Sequence, residues 1–386
     1  MNMQNVMTGI LSALMACTGG AVLIVSTAEM AGFTSSELIS WLFAVYFLGG
    51  LLNLTLSIVY KIPFGGAHSI TAAAFLSMSG IQFSVQELAG ASIMAGIFIA
   101  VFGISGLSGK LLALLPKPLM DAMLAGLIFT HIVKIVPALK DIPFVGGLAV
   151  IGFFLLPKLN RKLPPVLGVL SFGLIGLFLG YDFPAWESYS FAWPTLIQPV
   201  FTVNSFFSLA LPLALLVLSN DVFVALAALR KNGYDPSVVK TITVTGIATS
   251  IAGWLGGHAV NIGGMMSMLC SSSEAGPKEK RYLAGVVSGV LVSLFGLFSW
   301  KVLSFIHILP LSFIVIITGF SLLGVFISSL HSAFSVSSYR YATAFTFAIA
   351  VANVSFLGIS APIWCLLVGL AAAKLLGEGE RTLKEG

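Results

Sequence analysis

The chain reads as apolar runs separated by short polar stretches, and these runs predict fourteen membrane-spanning segments. In order they cover about Val6–Thr27, Glu37–Val59, Pro63–Ser79, Val85–Leu107, Pro118–Ala138, Pro143–Pro157 and Pro165–Tyr181. After a longer polar loop, Asp182–Asn204, come Ser205–Leu229, Val238–Leu255, Gly257–Ser272, Arg281–Ile306, Leu309–Leu330, Tyr341–Phe356 and Ala361–Leu376. The sixth and seventh runs are short, and merging them with a neighbour would leave twelve or thirteen.

Composition places most of this surface in lipid. Of 386 residues, 58% are hydrophobic and only 9% charged, against roughly 25% charged in a soluble domain. The 40 glycines fit helices that approach closely in a membrane. The net charge of +5 sits in short clusters between runs, which speaks for membrane orientation rather than nucleic acid. With the amino terminus in the cytoplasm, the inner loops hold Lys61, Lys110, Lys117, Lys158, Arg161, Lys162, Arg230, Lys231, Lys278, Lys280, Arg281 and Arg340, and the tail holds Lys374, Arg381 and Lys384. The Asp182–Asn204 loop carries Asp182 and Glu187 and no Lys or Arg, while Lys140, Lys301 and Lys134 fall outside. Both termini are therefore expected in the cytoplasm, in a cell inner membrane. No cleavable signal peptide is expected, since Met1–Asn5 lacks a positive region. Cys17, Cys270 and Cys365 lie far apart in apolar segments and read as buried small hydrophobes.

Seven segments per half is an odd number, so a duplicated unit must insert its second copy upside down. The third run opens "PFGGAHSITAAAFLSM" and the tenth "WLGGHAVNIGGMMSML", with Gly65-Gly66 and Gly256-Gly257 191 residues apart. The predicted organisation is a first seven-span repeat over 1–181, an extracytoplasmic loop over 182–204 and an inverted repeat over 205–386. Interrupted Gly-rich spans at matching positions are the sequence pointer to a transporter binding site. Pro63–Ser79 as pure helix would rise about 25 Å, short of a core of about 30 Å. With an extended Gly-Gly stretch it could still cross, and its helix would begin near the midplane with free N–H groups facing inward. Such backbone is tolerated only where protein or water surrounds it. Helix-packing glycines are the plainer alternative.

The predicted pocket is lined by Gly66, Ala67, His68, Ser69, Asn220, His258 and Asn261, of which the histidines, Ser69 and the asparagines put polar side chains at a depth where polarity is costly unless satisfied. Asp221, in "LALLVLSNDVFVALAAL", is the acid deepest in a span; a carboxylic acid there could load and release a proton, or could be paired for structure alone. His131, one turn from Lys134, reads as structural or interfacial; His307 and His331 lie near ends, and Arg340 reads as an interface anchor. No phosphate loop, metal-ligand spacing or nucleophile elbow occurs, so neither an ATP-driven pump nor an enzyme is expected, and no cofactor.

Several segments resemble the benzoate:proton symporter (BenE) family. "YKIPFGGAHSITAAAFL" resembles its third-span pattern, with Ala67, Ser69, Ala73 and Ala74 matching, His68 in the place of Trp and Thr71 in that of Pro. "PKPLMDAMLAGLIF" and "LPLALLVLSNDVFVALAALRKNGY" are similar to its fifth and eighth spans, with Asp221 and Val222 replacing an amide pair. In "GGHAVNIGGMMSMLCSSSEAGPKEKRYLAG" the residues Asn261, Cys270, Glu274, Ala275, Pro277 and Arg281 fall on the pattern. The resemblance covers nearly the whole chain. It implies the fold of uracil permeases and sulfate-permease-type transporters: an all-α integral membrane protein with spans 3 and 10 as half-helices, a core domain of spans 1–4 and 8–11, a gate domain of spans 5–7 and 12–14, and a possible homodimer. The expected function is proton-coupled secondary transport of a small anionic aromatic solute such as benzoate. The alternatives are a nucleobase or inorganic-anion carrier or uniporter on the same fold, or a membrane-embedded enzyme or scaffold.

Overall fold

A computed structural model describes residues 2–107, 116–160, 163–184, 189–353, 356 and 359–379. Of the loop charges above, Lys110, Arg161, Lys162, Glu187, Arg381 and Lys384 lie outside the described residues, as do positions 354 and 355 of the thirteenth predicted span. The described chain is helical, with two isolated antiparallel bridges and no longer strand.

Among the described residues the helices group into fourteen segments. The first is broken at Thr18-Gly19 into α1 (Met3–Cys17) and α2 (Gly20–Met30). The first repeat continues with α3 (Ser35–Tyr60), the half-helix α4 (Ile70–Ser79), α5 (Val85–Ser105), a fifth segment of α6 (Lys117–Val133) and α7 (Ile135–Asp141), then α8 (Pro143–Leu159) and α9 (Pro165–Gly180). The second comprises α10 (Val203–Lys231), α11 (Val238–Trp254), the half-helix α12 (Gly264–Ser271), an eleventh segment of α13 (Tyr282–Leu297) and α14 (Ser299–His307), then α15 (Leu311–Phe334), α16 (Arg340–Ala352) and α17 (Ala361–Leu375). The short sixth and seventh runs are separate helices, α8 and α9, packed on each other.

The inverted repeat is visible in the packing. Helix α3 lies along α13, and α5 lies along α11, so the second segment of each repeat pairs with the fourth of the other. Each crossing needs a glycine. A Cβ at Gly50 would lie 2.6 Å from the Gly289 carbonyl oxygen, and one at Gly96 2.6 Å from that of Gly246. Backbone cannot rotate away as a side chain can, so these helices touch only because both positions lack a Cβ.

Local sequence explains the two broken segments. Helix α3 starts in a capping box formed by Thr34 and Glu37 and ends at Lys61, which is left-handed (φ 54°). Pro63 then offers no N–H and disfavours helix at Ile62, so residues 61–69 are not helical and, past a tight turn at Pro63, lead into the strand that ends at Ser69. In the second repeat, Gly256 (φ 77°) closes α11 and an extended stretch runs to Gly263. The two stretches pair antiparallel: the N–H of Ser69 donates to Ala259 O (3.1 Å), that of Asn261 to Ala67 O (3.1 Å) and that of Gly263 to Gly65 O (2.8 Å). The glycine facing Gly65 across this ribbon is Gly263, while Gly256-Gly257 lie in the preceding turn.

A ribbon surrounded by helices would leave outward-facing backbone groups unpaired, at a depth where each costs several kcal/mol. Side chains from neighbouring helices supply partners. Thr249 Oγ1 accepts from the N–H of Val260 (3.2 Å) and donates to its carbonyl (3.0 Å), Ser267 bonds both polar groups of Gly65, and Asn53 Nδ2 donates to Asn261 O (3.2 Å). Gly66 allows the strands to meet, since a Cβ there would strike the Gly263 amide nitrogen.

Candidate functional site at the broken spans

The residues singled out in sequence converge on this ribbon. Gly66, Ala67 and His68 belong to the first strand, and Ser69 is the N-cap of α4. His258 and Asn261 lie in the second strand, before α12 rather than at its start. Asn220 and Asp221 come from α10.

Helix α10 is not regular. It carries π-helical turns at Phe206–Ala210 and Val217–Val222, and Asp221 sits in the second. A π turn inserts one extra residue and re-aims the side chains beside it. Pro212 has a further effect: it has no N–H to give the Ser208 carbonyl, which accepts instead from Ser360 Oγ at 2.7 Å.

Asp221 is buried, at 8% exposure. Its Oδ2 accepts from Ser69 Oγ (2.5 Å) and Thr71 Oγ1 (3.1 Å), and Ser69 Oγ accepts from the N–H of Ala72 (2.9 Å). The carboxyl thus sits on the amino end of α4, where the helix dipole favours negative charge. Among the described residues no Lys, Arg or His lies within ion-pair distance of it. Asn261 approaches the same carboxyl but makes no hydrogen bond. Fully buried, it leaves both its Oδ1 and its Nδ2 without a partner, as does Asn220 its Nδ2. Buried amides without partners are rare in proteins and call for an explanation such as a ligand.

The half-helices differ at their amino ends. Helix α4 is capped by Ser69, whereas α12 follows Gly263 and has no side-chain cap. Span α10 passes both, since a Cβ on Gly264 would lie 2.6 Å from Cγ1 of Val224, one turn beyond Asp221.

Behind the ribbon lies a second polar group. Trp41 Nε1 donates to His258 Nδ1 (2.8 Å); His258 Nε2 lies 3.1 Å from Ser69 O and 3.2 Å from His68 Nδ1; His68 Nε2 lies 3.1 Å from Tyr46 Oη. All four side chains are buried. Trp41, Tyr46 and Asn53 were not among the expected site residues, whereas Thr71 lies where the family resemblance put the pocket. A readable sign existed for part of this set: Tyr46, Gly49, Asn53 and Ser57 recur at helical spacing on one side of α3, the side that faces the ribbon.

Other expected positions lie elsewhere. His131 Nε2 is 2.7 Å from Ser77 Oγ near the end of α4, where Asn353 Nδ2 also donates to Met78 O (3.2 Å). Asp121 pairs with Lys117 (2.6 Å) and accepts from Ser332 Oγ (2.5 Å). All three cysteines are free.

Fourteen segments in inverted repeats, with two broken spans crossing in a polar ribbon, define a multi-pass membrane transporter. The sequence profile of BenE, described as benzoate membrane transport protein, matches residues 1–375, and the chain belongs to that family. It is 28% identical over 373 residues to the benzoate membrane transport protein of Acinetobacter baylyi, covering 95% of this chain and 94% of that one. It is 29% identical over 370 residues to the inner membrane protein YdcO of Escherichia coli, covering 94% and 93%. Among solved structures, the transmembrane domain of the cyanobacterial bicarbonate transporter BicA superposes with a TM-score of 0.62 at 16% identity, covering 95% of this chain and 97% of that one. SLC26A9 superposes at 0.60 and 14% identity, covering 96% of this chain and 64% of that one. These structural likenesses concern the fold.

Proposed function

We propose that the protein couples entry of a small aromatic carboxylate such as benzoate to entry of a proton. The observation that carries this reading is Asp221: a buried carboxyl on the amino end of a half-helix, bonded by hydroxyls alone. Among the described residues its charge has no counter-ion, and a proton removes the cost of keeping that charge out of water. The uncapped end of α12 and the unpartnered Asn261 and Asn220 amides supply donors for a carboxylate, with Gly66, Ala67 and Ser69 forming the backbone wall. His68 and His258 stand behind that wall.

The first to fourth and eighth to eleventh segments form the moving core in this reading, and the rest form the gate. The two groups meet through hydrogen bonds that can break and reform: His131 with the Ser77 hydroxyl, Asn353 Nδ2 with the Met78 carbonyl, and Ser360 Oγ with the Ser208 carbonyl. Both termini face the cytoplasm of an inner membrane, and two copies associate as a dimer.

Uptake of labelled benzoate into proteoliposomes under an inward proton gradient tests the function. Accumulation should rise with the gradient and collapse with a protonophore, and Asp221→Asn should abolish accumulation while leaving benzoate exchange measurable. Gradient-driven accumulation that survives in Asp221→Asn would remove this residue from coupling. Competition by uracil, sulfate or bicarbonate in place of aromatic acids would overturn the substrate class.

A further inference from the structure

The Trp41–His258–His68–Tyr46 chain has only one consistent arrangement of protons. An indole N–H can donate but not accept, so His258 Nδ1 facing Trp41 must be the bare, accepting nitrogen. The Ser69 carbonyl can only accept, so His258 Nε2, 3.1 Å away, must carry hydrogen. These two demands are independent, and they agree on one neutral tautomer. Because His258 Nε2 carries hydrogen, His68 Nδ1 at 3.2 Å cannot also carry one, or two N–H groups would oppose each other. His68 is then protonated at Nε2 and donates to the Tyr46 hydroxyl at 3.1 Å. The bonds run one way, from Trp41 to Tyr46, and all four ring nitrogens have protein partners.

We propose that Trp41 is a positioning residue that, together with the Ser69 carbonyl, holds both histidines in one neutral tautomer, and that this chain is a neutral brace rather than the carrier of the transported proton. A second proton on either ring would turn an N–H toward an existing N–H and break the chain. The brace acts on the coupling site through one residue. His258 holds the carbonyl of Ser69, the N–H of Ser69 is fixed on Ala259, and its hydroxyl holds Asp221. Trp41 therefore reaches Asp221 through His258 and Ser69 without touching it.

The surroundings leave little freedom for another arrangement. Tyr46 packs edge-on against Phe295 of α13 (ring centroids 4.7 Å apart), and a Cβ at Gly20 of α2 would fall 2.7 Å from His68 Nε2. Among the described residues, the titratable groups bonded to the pair are Tyr46 on α3 and, through Ser69, Asp221 on α10. None of them is a cation.

The test is ¹⁵N NMR of the full-length protein labelled in its histidine rings, with the five histidines assigned through single His→Gln variants. His68 and His258 should each show one neutral tautomer with hydrogen on Nε2, unchanged from about pH 5 to 8, where an ordinary histidine titrates. Trp41→Phe should free His258 Nδ1 to take a second proton, so that His258 begins to titrate while its Nε2 stays protonated against Ser69 O. The pH profile of uptake should shift with it. Tyr46→Phe lies downstream: the His258 N–H still faces His68 Nδ1, so both rings should keep hydrogen on Nε2. Hydrogen on Nδ1 of either ring in the unmodified protein would overturn the proposal, as would titration of either ring in that range. An unchanged His258 in Trp41→Phe, or an altered His258 in Tyr46→Phe, would do the same. Asp221→Asn should leave both histidines in place, so the brace and the coupling role of Asp221 stand or fall separately.

Discussion

The two half-helices occupy equivalent places in the two repeats, yet their amino ends are finished differently. Helix α4 begins with Ser69, whose hydroxyl accepts from the N–H of Ala72, and Asp221 lies on top of it. Helix α12 begins after Gly263 with no side-chain cap, beside an Asn261 side-chain amide without a hydrogen-bond partner. A duplicated architecture has thus been specialised by a handful of side chains: one end holds a carboxyl of the protein's own, and the other keeps its donors free. In the proposed function the first is the proton site and the second receives the substrate's carboxylate.

This contrast can be broken from either side. The largest effect should follow from separating the strands between the two ends. Gly66→Ala places a Cβ against the Gly263 nitrogen and 2.8 Å from the Asn261 carbonyl oxygen; a loss of about 3 kcal/mol is expected, as for overpacking a tight core, seen as a lowered unfolding midpoint and poor recovery of folded protein. Wild-type stability in Gly66→Ala would mean that the strands have room to spare. Next comes Ser69→Ala, which removes a cap and a donor to Asp221, for about 1–2 kcal/mol; thermal unfolding in detergent reads this directly, and gradient-driven uptake should fall with it.

On the uncapped side the expected signs reverse. Asn261→Leu removes a buried amide that has no partner, so the ligand-free protein should be as stable or more stable by about 1 kcal/mol. Uptake should nevertheless drop about tenfold, the equivalent of one lost substrate hydrogen bond. A clear loss of ligand-free stability would show that the amide is satisfied within the fold. Gly263→Ser is the mildest change. It gives α12 a side-chain cap worth a few tenths of a kcal/mol over glycine, provided the Met266 methyl group swings aside. Tm should rise slightly while benzoate protects the protein less well against heat; equal protection would place the substrate elsewhere.

Much of this architecture was legible in the chain. Apolar runs with few charges can only be satisfied in lipid, so the fourteen segments followed from composition and run length. The broken spans were legible as well, because Pro63 offers no N–H and the Gly-Gly pairs make helix costly there. His68, Ser69, His258, Asn261 and Asp221 stood out for being polar at the wrong depth. Trp41 and Tyr46 did not, since an aromatic residue in an apolar helix carries no sign of which polar group its N–H or O–H will meet.

What the sequence determines by itself about this protein is therefore local or additive: which stretches are apolar, where helix must stop, and how many times the chain crosses. The tertiary structure decided what depends on direction. Sequence could place His68, His258 and Asp221 near one another, but it could not show that Asp221 belongs to the Ser69 cap while the histidines face Trp41 and Tyr46. Hydrogen bonds need both distance and angle, and those are fixed only when α3, α10 and the two strands pack together.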